Sequence, residues 1–179
     1  MGHPSTVTFT AAQRRIALAW GIACHLSFAA GVAAMIAGLW SGMTIGLGPF
    51  RGGSAFAFDV LLLAQFPILH SILLSSRGRR WIARLAPLDL GPSLATTTFA
   101  TIASWQLLAT FLLWSPIGSI WSAAGSSSGE SWRWSPHGSA LIAMSAVYAA
   151  SWLLLLKTMS DAGLGVQTGY LGWGAVRRG

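Results

Sequence analysis

The sequence predicts an all-α integral membrane protein: a bundle of four transmembrane helices, both termini cytoplasmic (N-in/C-in), closed by a C-terminal interfacial segment. Three observations predict it. Of the 179 residues, 54% are hydrophobic and only 8% charged, whereas a soluble domain carries about 25% charged residues. The apolar residues gather into four long runs, and about 17–25 apolar residues cross the hydrocarbon as a helix. Helices are required there because unpaired backbone groups are very costly in lipid. Third, the basic residues fall between the runs with a strong bias to one side.

The first span, about residues 16–40, follows Arg14 and Arg15. Its apolar run exceeds the 7–15 residues or so of a secretory signal, so it is retained as a span. The second covers about 55–74, the third 93–114 and the fourth 139–156. With the N-terminus cytoplasmic, inside segments hold Arg14, Arg15, Arg77, Arg79, Arg80, Arg84, Lys157, Arg177 and Arg178, leaving only Arg51 and Arg133 outside. The positive-inside bias selects that orientation. Trp40, Trp81, Trp114, Trp121, Trp132, Trp134 and Trp173 stand at or beyond span ends, where an indole suits the headgroup layer. The outer loop "SPIGSIWSAAGSSSGESWRWSPHG" is rich in Gly and Ser, and its Trp-Arg-Trp run is expected to dip toward the interface.

The net charge of +7 raises the question of nucleic acid. The charges flank apolar runs and form no continuous basic face, so the expected partner is the lipid bilayer of the cell membrane and no nucleic acid. The single Cys24 excludes an internal disulfide and a Cys-based zinc site, and no residue is read as a metal ligand. Helix packing is expected at small residues repeating every fourth position: Ala23, Ser27 and Gly31; Ala30, Ala34 and Gly38; Ser145 with Ala149; Ala146 with Ala150.

The second span, within "FDVLLLAQFPILHSILLSSRGRRW", carries Asp59, Gln65, Pro67 and His70. Asp59 and His70 share a helix face but stand about 16 Å apart along the axis, so they form no dyad. Asp59 lies near the outer boundary and reads as a helix-start carboxylate reaching water. Gln65 reads as an interhelical hydrogen bond. Pro67 leaves the Leu63 carbonyl without its helical donor and is expected to kink the span. His70 lies one turn from the cytoplasmic end, before Arg77, Arg79 and Arg80. Two readings stand for it: part of a substrate or anion site with those arginines, or a neutral imidazole bonded to a neighbouring backbone carbonyl. His25 reads as a packing hydrogen bond, with a haem held between His25 and His70 as a remote alternative. No phosphate loop, paired carboxylates, nucleophile elbow or zinc-protease motif is present.

From this segment onward the chain resembles the N-terminal half of bacterial integral membrane methyltransferases of the isoprenylcysteine carboxyl methyltransferase and phospholipid methyltransferase superfamily. The resemblance rests on "FPILHS", "LLWSPIG" and "DAGLGVQTGYLGW" and covers roughly residues 55–179. It implies S-adenosylmethionine (SAM) as cofactor, bound at the cytoplasmic face, and a lipophilic acceptor entering from the bilayer. Gln167 matches a position commonly Gln in relatives and would border the cofactor site; the alternative is an exposed amide on the interfacial segment 161–179. In the family the chemistry resides in a second half with an Arg-His-Pro-x-Tyr-like segment and a late glutamate pair. Neither is found here, and the acidic–basic pair that often opens the third span is replaced by "LDLGPS". The resemblance therefore implies the membrane-embedded half of a methyltransferase-like protein, inactive alone, to be completed by a C-terminal catalytic half or a partner chain. The alternative is a stand-alone, non-catalytic multi-pass protein acting through helix–helix contacts.

Overall fold

The computed structural model describes residues 8–116 and 137–178, which form seven helices and no strand. The first, α1 (Ala11–Trp40), begins five residues before the expected span because a capping box opens it. Thr10 Oγ1 accepts from the Gln13 backbone N–H at 3.2 Å, and the Gln13 side chain accepts from the Thr10 N–H at 2.9 Å. Two of the four orphan donors of the first turn are thereby satisfied. Helix α2 (Gly52–Leu74) runs uninterrupted through Pro67 and stops at Ser75, whose hydroxyl accepts from the Gly78 N–H and starts α3 (Ser76–Ile82). The basic inner loop is thus partly a helix, with Arg77, Arg79 and Arg80 exposed and Ile82 buried.

After a turn with Leu88 and Asp89 at positive φ, α4 (Gly91–Leu112) returns through the molecule. Gly91 lies so close to the Ala83 carbonyl that a Cβ would collide with backbone. Helix α5 (Ser139–Asp161) follows, then α6 (Leu164–Gln167) and α7 (Tyr170–Arg178). The outer-loop readings, including Arg133 and the Trp132–Trp134 dip, lie outside the described residues.

Hydrogen bonds set the directions. Asp59 pairs with Ser115, Gln65 with Gln106, and His70 meets Phe99 edge-on, so α2 and α4 run antiparallel. Gln13 meets Leu88 and Trp20 meets Thr98, so α1 and α4 run parallel. A stripe of small buried residues on α1 (Ala17, Gly21, Cys24, Ser27, Gly31 and Gly38) faces α4 and α7. It includes three positions of the expected small-residue repeats, whereas Ala23 and Ala30 point outward. The apolar core is compact and lies at one end: Ala17, Leu90, Leu94 and Val176 with Ala86.

Three helices, α1, α2 and α5, are long and apolar enough to cross a membrane, which marks a membrane protein. This corrects the expectation of four. The third predicted span exists as α4, of sufficient length, but Thr97, Thr98, Ser104, Gln106 and Thr110 lower its hydropathy and are buried against neighbouring helices. The C-terminal segment also differs from a purely interfacial element. Gly172, Gly174 and Val176 are buried where α7 packs antiparallel along α1 and α4. Trp173 lies flat over Gly21, where any Cβ would overlap the indole. Its Nε1 donates to His25 Nε2 at 3.3 Å, the packing role expected of His25.

Candidate functional site

Helix α4 presents Ala95, Phe99, Ala103 and Leu107 at intervals of four, one face of a helix. Because two of these are alanines, α4 leaves space in front of that face. A cavity of about 480 Å³ occupies it, walled by α2 and α3 on one side, by Phe28 of α1, and by Met159, Val166 and Gln167 of the α5–α6 region on the other. Its volume falls within the range of about 300–1,000 Å³ usual for small-molecule sites.

His70, Arg79 and Gln167 all line this cavity, although they come from α2, α3 and α6. The imidazole of His70 is held between two rings: Phe66 stacks on it at 5.5 Å with 21° between planes, and Phe99 meets it edge-on at 4.8 Å. Its Nδ1 is buried with no hydrogen-bond partner, so no backbone carbonyl takes that nitrogen. Arg79 is exposed overall and also belongs to the cavity lining, as a long side chain with an apolar stem and a charged tip can. Arg77 and Arg80, the other two arginines of the expected anion site, are exposed on α3 and do not line the cavity.

Gln167 is placed by tertiary bonds that the sequence does not announce. Thr97 Oγ1 donates to the Gly169 carbonyl at 2.7 Å and accepts from the Trp173 N–H at 3.1 Å. Cys24 Sγ donates to the Thr168 carbonyl at 3.4 Å. These bonds and the Trp173–His25 contact fix the start of α7, and with it the short α6 beside the cavity. Since His25 Nε2 already accepts from Trp173, the haem alternative loses that ligand atom. Among the described residues no group of three His, Cys, Asp or Glu side chains is placed to hold a metal ion.

The remaining polar residues of α2 serve packing. Gln65 Nε2 donates to the Gln106 carbonyl and to Thr110 Oγ1, while Gln106 Nε2 donates to Gln65 Oε1 at 2.9 Å and to the Gln65 carbonyl at 3.2 Å. This reciprocal clasp is the interhelical bond expected of Gln65. Asp59 departs from expectation. It is 2% exposed, and its Oδ1 accepts from the Ser115 N–H at 2.9 Å. Rather than reaching water, it receives the backbone at the exit of α4. Its Oδ2 and Ser115 Oγ are both buried without partners. The sequence reading missed the Phe66–His70–Phe99 sandwich; the four-residue spacing of Ala95, Phe99, Ala103 and Leu107 was the available signal. Comparison with protein-family models, curated proteins and solved structures returns no match for this chain.

Proposed function

We propose that this protein is the membrane-embedded, lipid-binding half of a methyltransferase-like membrane protein, and that the cavity receives a lipophilic ligand. In this reading all four long helices, α4 included, span the cell membrane with both termini cytoplasmic. Positive-inside charge supports the orientation, and the alternating directions of α1, α2 and α4 are compatible with it. One observation carries the functional reading: His70, Arg79 and Gln167, from three separate elements, converge on one largely apolar cavity. Apolar walls with a few convergent polar groups are the usual make-up of a small-molecule site.

The lining supports the acceptor side of this reading and not the cofactor side. SAM carries a positive sulfonium and a ribose, which call for carboxylates, and none lines the cavity. Asp59 lies at the far end of α2, Asp89 in the α3–α4 turn, and Asp161 pairs with Lys157 at 2.7 Å. The residues present do not fit SAM, so no methyl-transfer step is assigned to them. A second reading, a non-catalytic protein acting through helix contacts, is favoured by α5, which has no buried residue.

Photolabelling tests the proposal. A fatty-acyl probe with a photoreactive tail, added to the protein in lipid nanodiscs, is expected to label α4 near Ala103 and α5 near Met159. Filling the cavity by Ala103→Phe is expected to abolish that labelling, and labelling indifferent to this substitution would refute a ligand-binding cavity. Equilibrium dialysis with radiolabelled SAM is expected to show no binding by the chain alone.

A further inference from the structure

We infer that the cavity is a slot for one chain of an anionic lipid, whose phosphate or carboxylate headgroup sits at Arg79 and His70 and which loads sideways between α2 and α5. The inference rests on the lipophilic-ligand reading above and adds the headgroup charge and the route.

Length is the first argument. From Ala95 to Leu107 the lining follows α4 for 12 residues, about 18 Å at 1.5 Å per residue. One leaflet of a hydrocarbon core about 30 Å thick measures about 15 Å, so the slot matches a single leaflet's acyl chain. Polarity is graded along it. Phe28 and Leu107 close one end, and the Ser104 hydroxyl there is spent on the Ala100 carbonyl. Arg79, on the helix preceding α4, and His70, beside Phe99, stand toward the other.

Charge is the second argument. Among the described residues the one ion pair is Lys157–Asp161, so Arg79 lines the slot with no carboxylate partner. His70 Nδ1 adds a buried nitrogen with no partner. A headgroup with no anionic group would leave both uncompensated beside apolar walls, and a zwitterionic one would bring a cation next to Arg79 along with its phosphate. A net anion satisfies them with charge-assisted hydrogen bonds. The route follows from packing. Met159 of α5 and Phe66 of α2 both line the cavity, yet α5 does not pack against α2, α1 or α4 along its length. In a bilayer that flank faces acyl chains.

Native mass spectrometry of the full chain, released from nanodiscs holding equal phosphatidylglycerol and phosphatidylcholine, tests this. Wild type is expected to retain phosphatidylglycerol preferentially. Arg79→Gln, an exposed position that leaves the fold intact, is expected to cut that preference about fivefold, the effect of one basic side chain at an anionic surface. Arg77→Gln, outside the slot, is expected to change it less than about twofold, and Arg79→Lys to keep most of it. Equal retention of the two lipids by wild type, or equal losses in Arg79→Gln and Arg77→Gln, would overturn the inference. Displacement of the lipid by millimolar inorganic phosphate would overturn it in favour of a free anion. Retention of neither lipid would instead sink the underlying cavity reading, which the photolabelling probes separately.

Discussion

Helices α4 and α5 are nearly equal in length, 22 and 23 residues, and differ sharply in burial. Eight residues of α4 are buried, five of them Thr, Ser or Gln, and it packs against α1, α2, α3, α6 and α7. None of α5 is buried; its ties are the α6 turn, a hydrogen bond from Tyr148 to the Ile36 carbonyl at 2.9 Å, and the Trp40–Tyr148 ring contact. The difference teaches which helix goes inside when the solvent is hydrocarbon. Lipid is as apolar as leucine, so burying leucine against leucine gains little, whereas Thr and Gln need partners and find them on other helices. The buried Thr, Ser and Gln of α4 therefore draw it to the centre, whereas α5, whose apolar residues need no partner in lipid, stays at the edge.

The comparison can be broken first at the turn that delivers α4. Gly91→Val would drive its side chain into the Ala83 carbonyl, and no flexible atom is there to yield. Loss of a monodisperse, folded species in detergent is expected; a normal elution profile would show that the α3–α4 turn is not what seats α4. Next in size is a matched pair of truncations. Leu94 is fully buried and Leu154 is 64% exposed. Leu94→Ala is expected to cost about 2–5 kcal/mol, and Leu154→Ala less than about 0.5 kcal/mol, both read by denaturant unfolding followed through tryptophan fluorescence. Similar costs for the two would erase the distinction between the helices. The smallest effect concerns the Gln65–Gln106 clasp. A double-mutant cycle to alanine is expected to give a coupling of about 0.6–1.7 kcal/mol, the range for interhelical hydrogen bonds in membranes, and zero coupling would remove polar bonding as the reason α4 lies inside.

Legibility followed the same division. Apolar run length located α1, α2 and α5, because crossing hydrocarbon demands it of each helix separately. The same measure overrated α4 as a fourth apolar span, since polar residues satisfied by neighbours look identical in sequence to polar residues left in lipid. The start of α1 was placed late because a capping box, not hydropathy, opens it. Gln65 and His25 were readable as packing hydrogen bonds from their isolation in apolar runs. Asp59 reads as reaching water because its partner, the Ser115 N–H, lies 56 residues away. His70, Arg79 and Gln167 stood out singly as polar groups beside apolar stretches; nothing in their spacing showed that they share a cavity.

By itself, then, the order of residues determined the medium, the helical content and the grouping of the arginines between apolar runs. Each of these follows from transfer of individual groups between water and hydrocarbon, a cost every residue carries wherever its neighbours are. Only the tertiary structure decided that α7 turns back to pack between α1 and α4, that Trp173 rests on Gly21, and that Gln167 and His70 line one cavity. Those outcomes depend on shape and hydrogen-bond partners brought together from up to 148 residues away, and shape complementarity has no one-dimensional signature.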